Sequence, residues 1–174
     1  MTMAVTLLLA RVSQRYLDAY AAAVDPGDPE GAYLAWDPPD GWTDLDWSSG
    51  ALVESARYAG LGPERIAALG AAVGGDPAVD VSFVLPGHPW SAFGRPAAVG
   101  PVAVARTART LGRIDWPGVM AALPDADGEA IAALGGVCGL TRDPRGYLSG
   151  HFAALRALYE TAAHHGQLVV LWWD

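Results

Sequence analysis

A chain of 174 residues with 52% hydrophobic and 17% charged residues has the composition of one folded domain and argues against disorder. The formal net charge is -8, and all eleven basic residues are arginine. Phosphate binding needs a basic footprint, so no nucleic-acid partner is expected; a basic protein or a cationic ligand fits the charge.

Residues 3–10 form an apolar run far shorter than the roughly 20 residues a membrane span needs. No positive charge precedes it and Arg11 closes it, so it lacks the form of a signal peptide. The run predicts a buried first strand, a cytoplasmic chain and no membrane contact. Its lack of alternation predicts cover on both faces. Ser13 is a good N-cap for a helix through about Val24, with Tyr16, Leu17, Tyr20 and Val24 on one face.

Pro26, Gly27 and Pro29 break that helix, and residues 25–47 are expected to be irregular. This stretch holds seven of the nineteen acids, with Trp36, Trp42 and Trp47 interleaved. A helix is predicted over 49–59. Pro63 starts another that fades at Gly74-Gly75. Residues 79–85 carry β-branched and aromatic residues between turn signals and predict a short strand. Residues 86–100 read as a Pro- and Gly-rich loop.

Pro101 occupies a first helical position, and Val104, Ala105, Ala108 and Leu111 give that helix its inner face. Shorter helical pieces follow at 116–123 and 127–134, with 135–139 irregular. The last helix follows Pro144, and Leu148, Phe152, Leu155, Leu158, Tyr159 and Ala162 form its buried stripe. Gly166 suits the position after its C-cap. Residues 167–173 then predict a closing strand whose indoles, Trp172 and Trp173, seek burial. Strands are few and sit mostly at the two ends, with helices between. The expected fold is therefore α+β. It is one compact domain whose small mixed or antiparallel sheet contains the N- and C-terminal strands as neighbours, packed against several helices.

The order of these motifs resembles the YfbM-like family of bacterial proteins of unknown function. The opening MTMAVTLLLARVSQRYLDAY resembles the family's Met-x-Met, apolar strand, Arg-Val-Ser and helix. Asp44-Leu45-Asp46-Trp47 before the 49–59 helix, the stretch from Gly87-His88-Pro89-Trp90 through Phe93-Gly94-Arg95-Pro96, and the final helix with Gly166 and the closing strand follow in the same order. The resemblance implies a compact α+β domain and carries no activity.

No recognised catalytic motif is present. The chain has no P-loop, no G-x-G-x-x-G, no G-x-S-x-G and no H-E-x-x-H. Without lysine it can form no Schiff base. Its single cysteine, Cys138, excludes an internal disulfide and a cysteine-based zinc site. Cys138 precedes His151, His164 and His165, but a lone cysteine is more often a small buried hydrophobe than a nucleophile. Adjacent residues on a helix point about 100° apart, so His164 and His165 cannot grip one ion through a shared face. Their expected role is to complement the helix C-terminus. The stretch D-P-P-D-G-W-T-D-L-D at 37–46 lacks the alternating ligands and distal Glu of a calcium loop. No catalytic residue, metal or cofactor is predicted.

Two loops remain as candidate sites. Trp36, Asp37, Asp40, Trp42, Asp44 and Asp46 combine indoles with carboxylates and would suit a cationic protein partner. His88, Trp90, Phe93 and Arg95 place aromatics, a ring nitrogen and a guanidinium in a loop before a helix N-terminus, and would suit a ligand. Arg106, Arg109 and Arg113 share one helix face and are expected to be its wet side. The favoured function is a non-enzymatic interaction domain. An acidic protein of this size can neutralise a basic partner, as immunity proteins do. The alternative is a small enzyme working from the His88–Arg95 loop. A deep pocket lined by His88, Arg95 and a carboxylate would favour the enzyme; an acidic face bearing Trp36 or Trp42 would favour the interaction domain.

Overall fold

Two apolar runs from opposite ends of the sequence meet at the centre of one sheet in the computed structural model, which describes residues 5–25, 27–87, 93–136 and 142–174. β1 (Leu7–Val12) and β4 (Leu168–Trp173) pair antiparallel, with Leu9 opposite Leu171. Thr6 and Asp174 extend the pairing through two backbone hydrogen bonds of 2.7 and 3.0 Å. β2 (Thr43–Asp44) flanks β1 and β3 (Ala97–Val99) flanks β4, giving the order β2-β1-β4-β3 with every pair antiparallel. Eight helices accompany these strands among the described residues. The fold is α+β, with the first and last strands as neighbours, as expected.

The strands lack polar alternation because both faces are covered. Leu8, Ala10, Val12, Leu168, Val170 and Trp172 face one side; Leu7, Leu9, Val169 and Leu171 face the other. The first side is closed thinly. Its main element is α1 (Gln14–Ala23), started by Ser13, whose hydroxyl accepts the Tyr16 N–H at 3.1 Å. Leu17 and Tyr20 of α1 are buried against the sheet.

Two expectations fail on this thin side. Residues 25–47 are not wholly irregular: α2 (Pro29–Ala35) lies among them, and so does β2. Pro29 is not a breaker here but sits in the first turn of α2, where its missing N–H has no partner to lose. Asp28 caps that turn by accepting the Gly31 N–H at 3.0 Å. Residues 79–85 form no strand. Asp76 and Asp80 each fold back on the backbone, accepting the N–H groups of Ala78 and Ser82 at 2.9 Å, and so bend the segment into turns. Val81, Val84 and Leu85 are nonetheless buried, as a lid on the thin side.

The other side is closed by six helices. α3 (Ser48–Tyr58), α4 (Pro63–Gly74), α5 (Pro101–Leu111), α6 (Trp116–Ala122), α7 (Asp127–Ala133) and α8 (Pro144–His164) share one large core. Leu148, Phe152, Leu155, Tyr159 and Ala162 of α8 are buried at helical spacing, as the apolar stripe predicts, whereas Leu158, expected with them, is only partly buried. Phe152 stacks on Trp116 with ring centroids 4.2 Å apart. The Tyr159 hydroxyl, in the same core, donates to the Ala72 carbonyl at 3.0 Å. Arg145 donates to the carbonyls of Met120, Leu123 and Pro124, serving backbone acceptors left open where α6 ends. Gly166 closes α8 with φ +62°, a left-handed conformation that favours glycine. The stretch expected to be loop over 86–100 ends as β3, whose Ala97, Ala98 and Val99 pair with Leu171, Val170 and Val169.

Candidate functional site

The adjacent indoles of β4 point to opposite faces of the sheet, and each meets one of the two loops singled out in the sequence. Trp172, on the thin side, is buried and meets Trp36 edge-on at 5.5 Å. Trp36 is the C-cap residue of α2, and its ring also meets Tyr16 at 5.7 Å and Tyr20 at 5.1 Å. The Trp36 indole N–H is buried without a hydrogen-bond partner among the described residues. Trp173 is half-buried and meets Trp47 at 5.6 Å and Phe93 at 6.3 Å. A Cβ on Gly94 would come within 3.0 Å of the Trp173 indole nitrogen, so glycine permits this approach. His88 and Trp90, the other aromatic members of that loop, lie outside the described residues, as does Cys138. Arg95 is exposed.

The acidic loop divides into residues the fold uses and residues it presents. Asp46 is used. Its carbonyl accepts the Leu7 N–H at 3.2 Å, its carboxylate accepts the Tyr147 hydroxyl at 3.0 Å, and its own N–H donates to Asp44 Oδ1 at 2.7 Å. Asp46 adopts φ +49° between β2 and α3, a conformation this short polar side chain tolerates. Asp40 is paired with Arg11 at 3.0 Å, and Gln167 donates to the same carboxylate oxygen at 3.4 Å. Trp36 is only 8% exposed and belongs to the core, whereas Trp42 is 57% exposed. Asp37 is exposed, and its backbone N–H donates to the Tyr16 hydroxyl at 3.1 Å.

Trp42 separates two clefts. One, of about 330 Å³, is lined by Arg11, Asp40, Thr43 and the α8 residues Ala154, Leu158 and Thr161. The other, of about 290 Å³, is lined by Leu8, Tyr33, Leu34, Trp36, Asp37, Trp172 and Asp174. Tyr33 donates its hydroxyl to Asp174 Oδ2 at 3.1 Å. Partial burial, and then the negative charge of Asp174, push the Tyr33 phenol above its ordinary pKa. Burial raises Tyr16 too. The Asp37 N–H opposes that rise and the Asp37 carboxylate adds to it.

Leu34 is 74% exposed, and Tyr33 and Trp42 are exposed beside it. An apolar patch of this kind, rimmed by carboxylates, marks an interaction surface in many proteins. Tyr33, Leu34 and Asp174 were not singled out in the sequence. The Asp28-Pro29-Glu30 signature of a helix start was the available signal for the first two.

A third cleft, of about 400 Å³, lies between α4 and α5, and its lining includes Ala67, Ala68, Ala71, Ala103, Glu64 and Arg106. Arg106 and Arg109 are on the exposed face of α5, as expected; Arg113 is exposed too, but it lies in the turn beyond the Gly112 C-cap and not on the helix. The His164 and His165 rings touch edge-on at 4.9 Å, and both residues are exposed at the end of α8. No group of three or more His, Cys, Asp or Glu among the described residues could hold a metal ion. No helix among the described residues is long and apolar enough to cross a membrane.

No protein-family model, no curated protein and no solved structure matches the chain significantly.

Proposed function

We propose that this chain is a non-enzymatic, cytoplasmic binding domain that holds a basic protein partner on the face around Trp42. The observation that carries this is the gathering of exposed Tyr33, Leu34 and Trp42 about one cleft whose wall includes Asp37 and Asp174. Large exposed aromatics beside carboxylates supply the two terms that association with a basic surface needs. These are apolar area at the centre and charge that steers approach. The net charge of -8 extends the attraction beyond the patch. Kinship with the YfbM-like family, proposed from the order of the sequence motifs, adds a fold expectation and no activity.

Isothermal titration with short arginine- and lysine-rich peptides, and with a glutamate-rich control, tests this. Basic peptides should bind, more weakly as salt approaches about 0.15 M, where the Debye length is about 8 Å. Trp42→Ala should remove most of the binding. Equal binding of the acidic control, or basic-peptide binding indifferent to Trp42→Ala, would overturn the proposal.

A further inference from the structure

The cleft between α4 and α5 is walled by alanines from both helices, and side chains this short leave about 400 Å³ between them. α4 is held where it stands. Gly75 ends it at φ +80°, where an added Cβ would come within 2.5 Å of the Ala97 Cβ. The next residue, Asp76, donates its N–H to the Ala98 carbonyl at 2.7 Å and so ties that end to β3. From α8, the Tyr159 hydroxyl holds the Ala72 carbonyl at 3.0 Å.

One buried polar group in this cleft has no partner. Thr107 is only 4% exposed, and its hydroxyl makes no hydrogen bond among the described residues. The helical threonines Thr110 and Thr161 donate to carbonyls four residues back, at 3.2 and 2.9 Å. Thr107 has the Ala103 carbonyl at the same spacing and does not use it. Among the described residues, the side-chain polar atoms sealed from solvent without a partner are the Trp36 and Trp116 indole nitrogens. The Thr107 hydroxyl is therefore open, and the cleft that Thr107 lines is the space available to it.

We propose that this cleft binds a small neutral molecule: an apolar ring or short chain bearing one hydroxyl or carbonyl, with that oxygen hydrogen-bonded to Thr107. An apolar wall with a single oriented polar group is the usual make-up of a small-molecule site, and the volume is in the usual range. The charged lining residues do not supply the anchor. Glu64 and Arg106 are exposed, and the Asp76 carboxylate already accepts the Ala78 N–H at 2.9 Å. An anionic ligand would meet Glu64, Asp76 and the net charge of -8. A cationic one would lose hydration against the alanine walls. The site is independent of the face around Trp42, because α4 and α5 flank β3 and Trp42 adjoins β2, at the opposite edge of the sheet.

The full chain, labelled with nitrogen-15, is titrated with cyclohexanol, cyclohexanecarboxylate and cyclohexylammonium while the amide resonances of Ala68, Ala71, Ala103 and Thr107 are followed. Cyclohexanol should shift them saturably and bind about 3-fold or more tighter than either ion. Thr107→Val keeps the shape of the side chain and should weaken cyclohexanol about 5-fold, the scale of one hydrogen bond. Its thermal melt should match or exceed that of the native chain, because the hydroxyl has no partner in the fold to lose. Ala71→Leu fills the cleft and should abolish the saturable shift, and Ala68→Leu repeats the test at a second wall position. Tighter binding of either ion, or an affinity indifferent to Thr107→Val, would overturn the neutral ligand anchored on Thr107. Binding that survives both leucine variants, or no saturable shift with any of the three probes, would remove the site.

Discussion

Six helices seal one face of the sheet; one ten-residue helix, the end of a shorter one and a bent loop seal the other. On the thick side the cover is periodic, and burial is spread over α8, α5 and their neighbours. On the thin side Tyr20, Trp36 and Trp172 close the sheet with a few large rings in edge-on contact. A thin cover leaves the sheet edge near the surface. It is there, beside β2, that Trp42, Tyr33 and Leu34 are exposed. The two faces show that a sheet can be buried on both sides with only one of them thickly covered.

If a few rings close the thin side, removing one should be severe. Trp172→Ala should cost about 3–5 kcal/mol, because a buried indole leaves a cavity that the short cover cannot fill. Trp173→Ala, one residue along and only half-buried, should cost roughly half as much. Urea melts of both variants check this, and equal losses would erase the contrast between the faces.

Hydroxyls sharpen the comparison next. Tyr20 on the thin side donates to the Ala32 carbonyl at 2.9 Å and accepts the Leu85 N–H at 3.3 Å. Tyr159 on the thick side only donates, to Ala72. Tyr20→Phe leaves a donor and an acceptor without their partner and should cost about 1–3 kcal/mol, more than Tyr159→Phe. Both phenols are held above the ordinary tyrosine pKa, chiefly by burial. Their folded pKa exceeds the unfolded value, so the unfolded chain loses its protons first. Their contribution is complete below about pH 10 and drains away as pH rises beyond it. Denaturation at rising pH should steepen above that point for the native protein and less so for Tyr159→Phe.

Ser13→Ala removes the cap of α1, the main helix on the thin side, and should cost about 1 kcal/mol by thermal melt. Smallest of all, Trp42→Ala should change stability by no more than about 0.5 kcal/mol, as suits an exposed side chain. A larger loss would make Trp42 part of the thin cover, with no surface role.

The same contrast decides what was legible in the sequence. Elements of the thick side announce themselves. The apolar stripe of α8, the prolines that open α4, α5 and α8, and Gly166 after α8 are local signals, and each marks its element correctly. On the thin side, local signals mislead. Residues 79–85 have strand-forming side chains but are bent by Asp76 and Asp80. Pro29 looks like a breaker but opens α2. β3 is Ala-Ala-Val, with little strand propensity of its own, and exists because β4 offers it an edge. For the candidate site, Trp36, Asp37 and Trp42 were visible as indoles beside carboxylates. Tyr33 and Leu34 depend on α2, and Asp174 on the register of β4, so only the fold brings them to the same cleft.

The pairing of β1 with β4 also sets the order in which the molecule can assemble. Leu9 is made early and its partner Leu171 very late, so the central ladder forms only after nearly every helix has been synthesised. At roughly 5–20 residues per second, the first strand waits on the order of 10 s with its edges open. Helix pairs close over short stretches of chain, while this pair must close a loop of almost the whole length. The sheet at the centre of the native molecule is therefore the last part of it to be completed, and the apolar first strand is the segment a nascent chain most needs to keep covered.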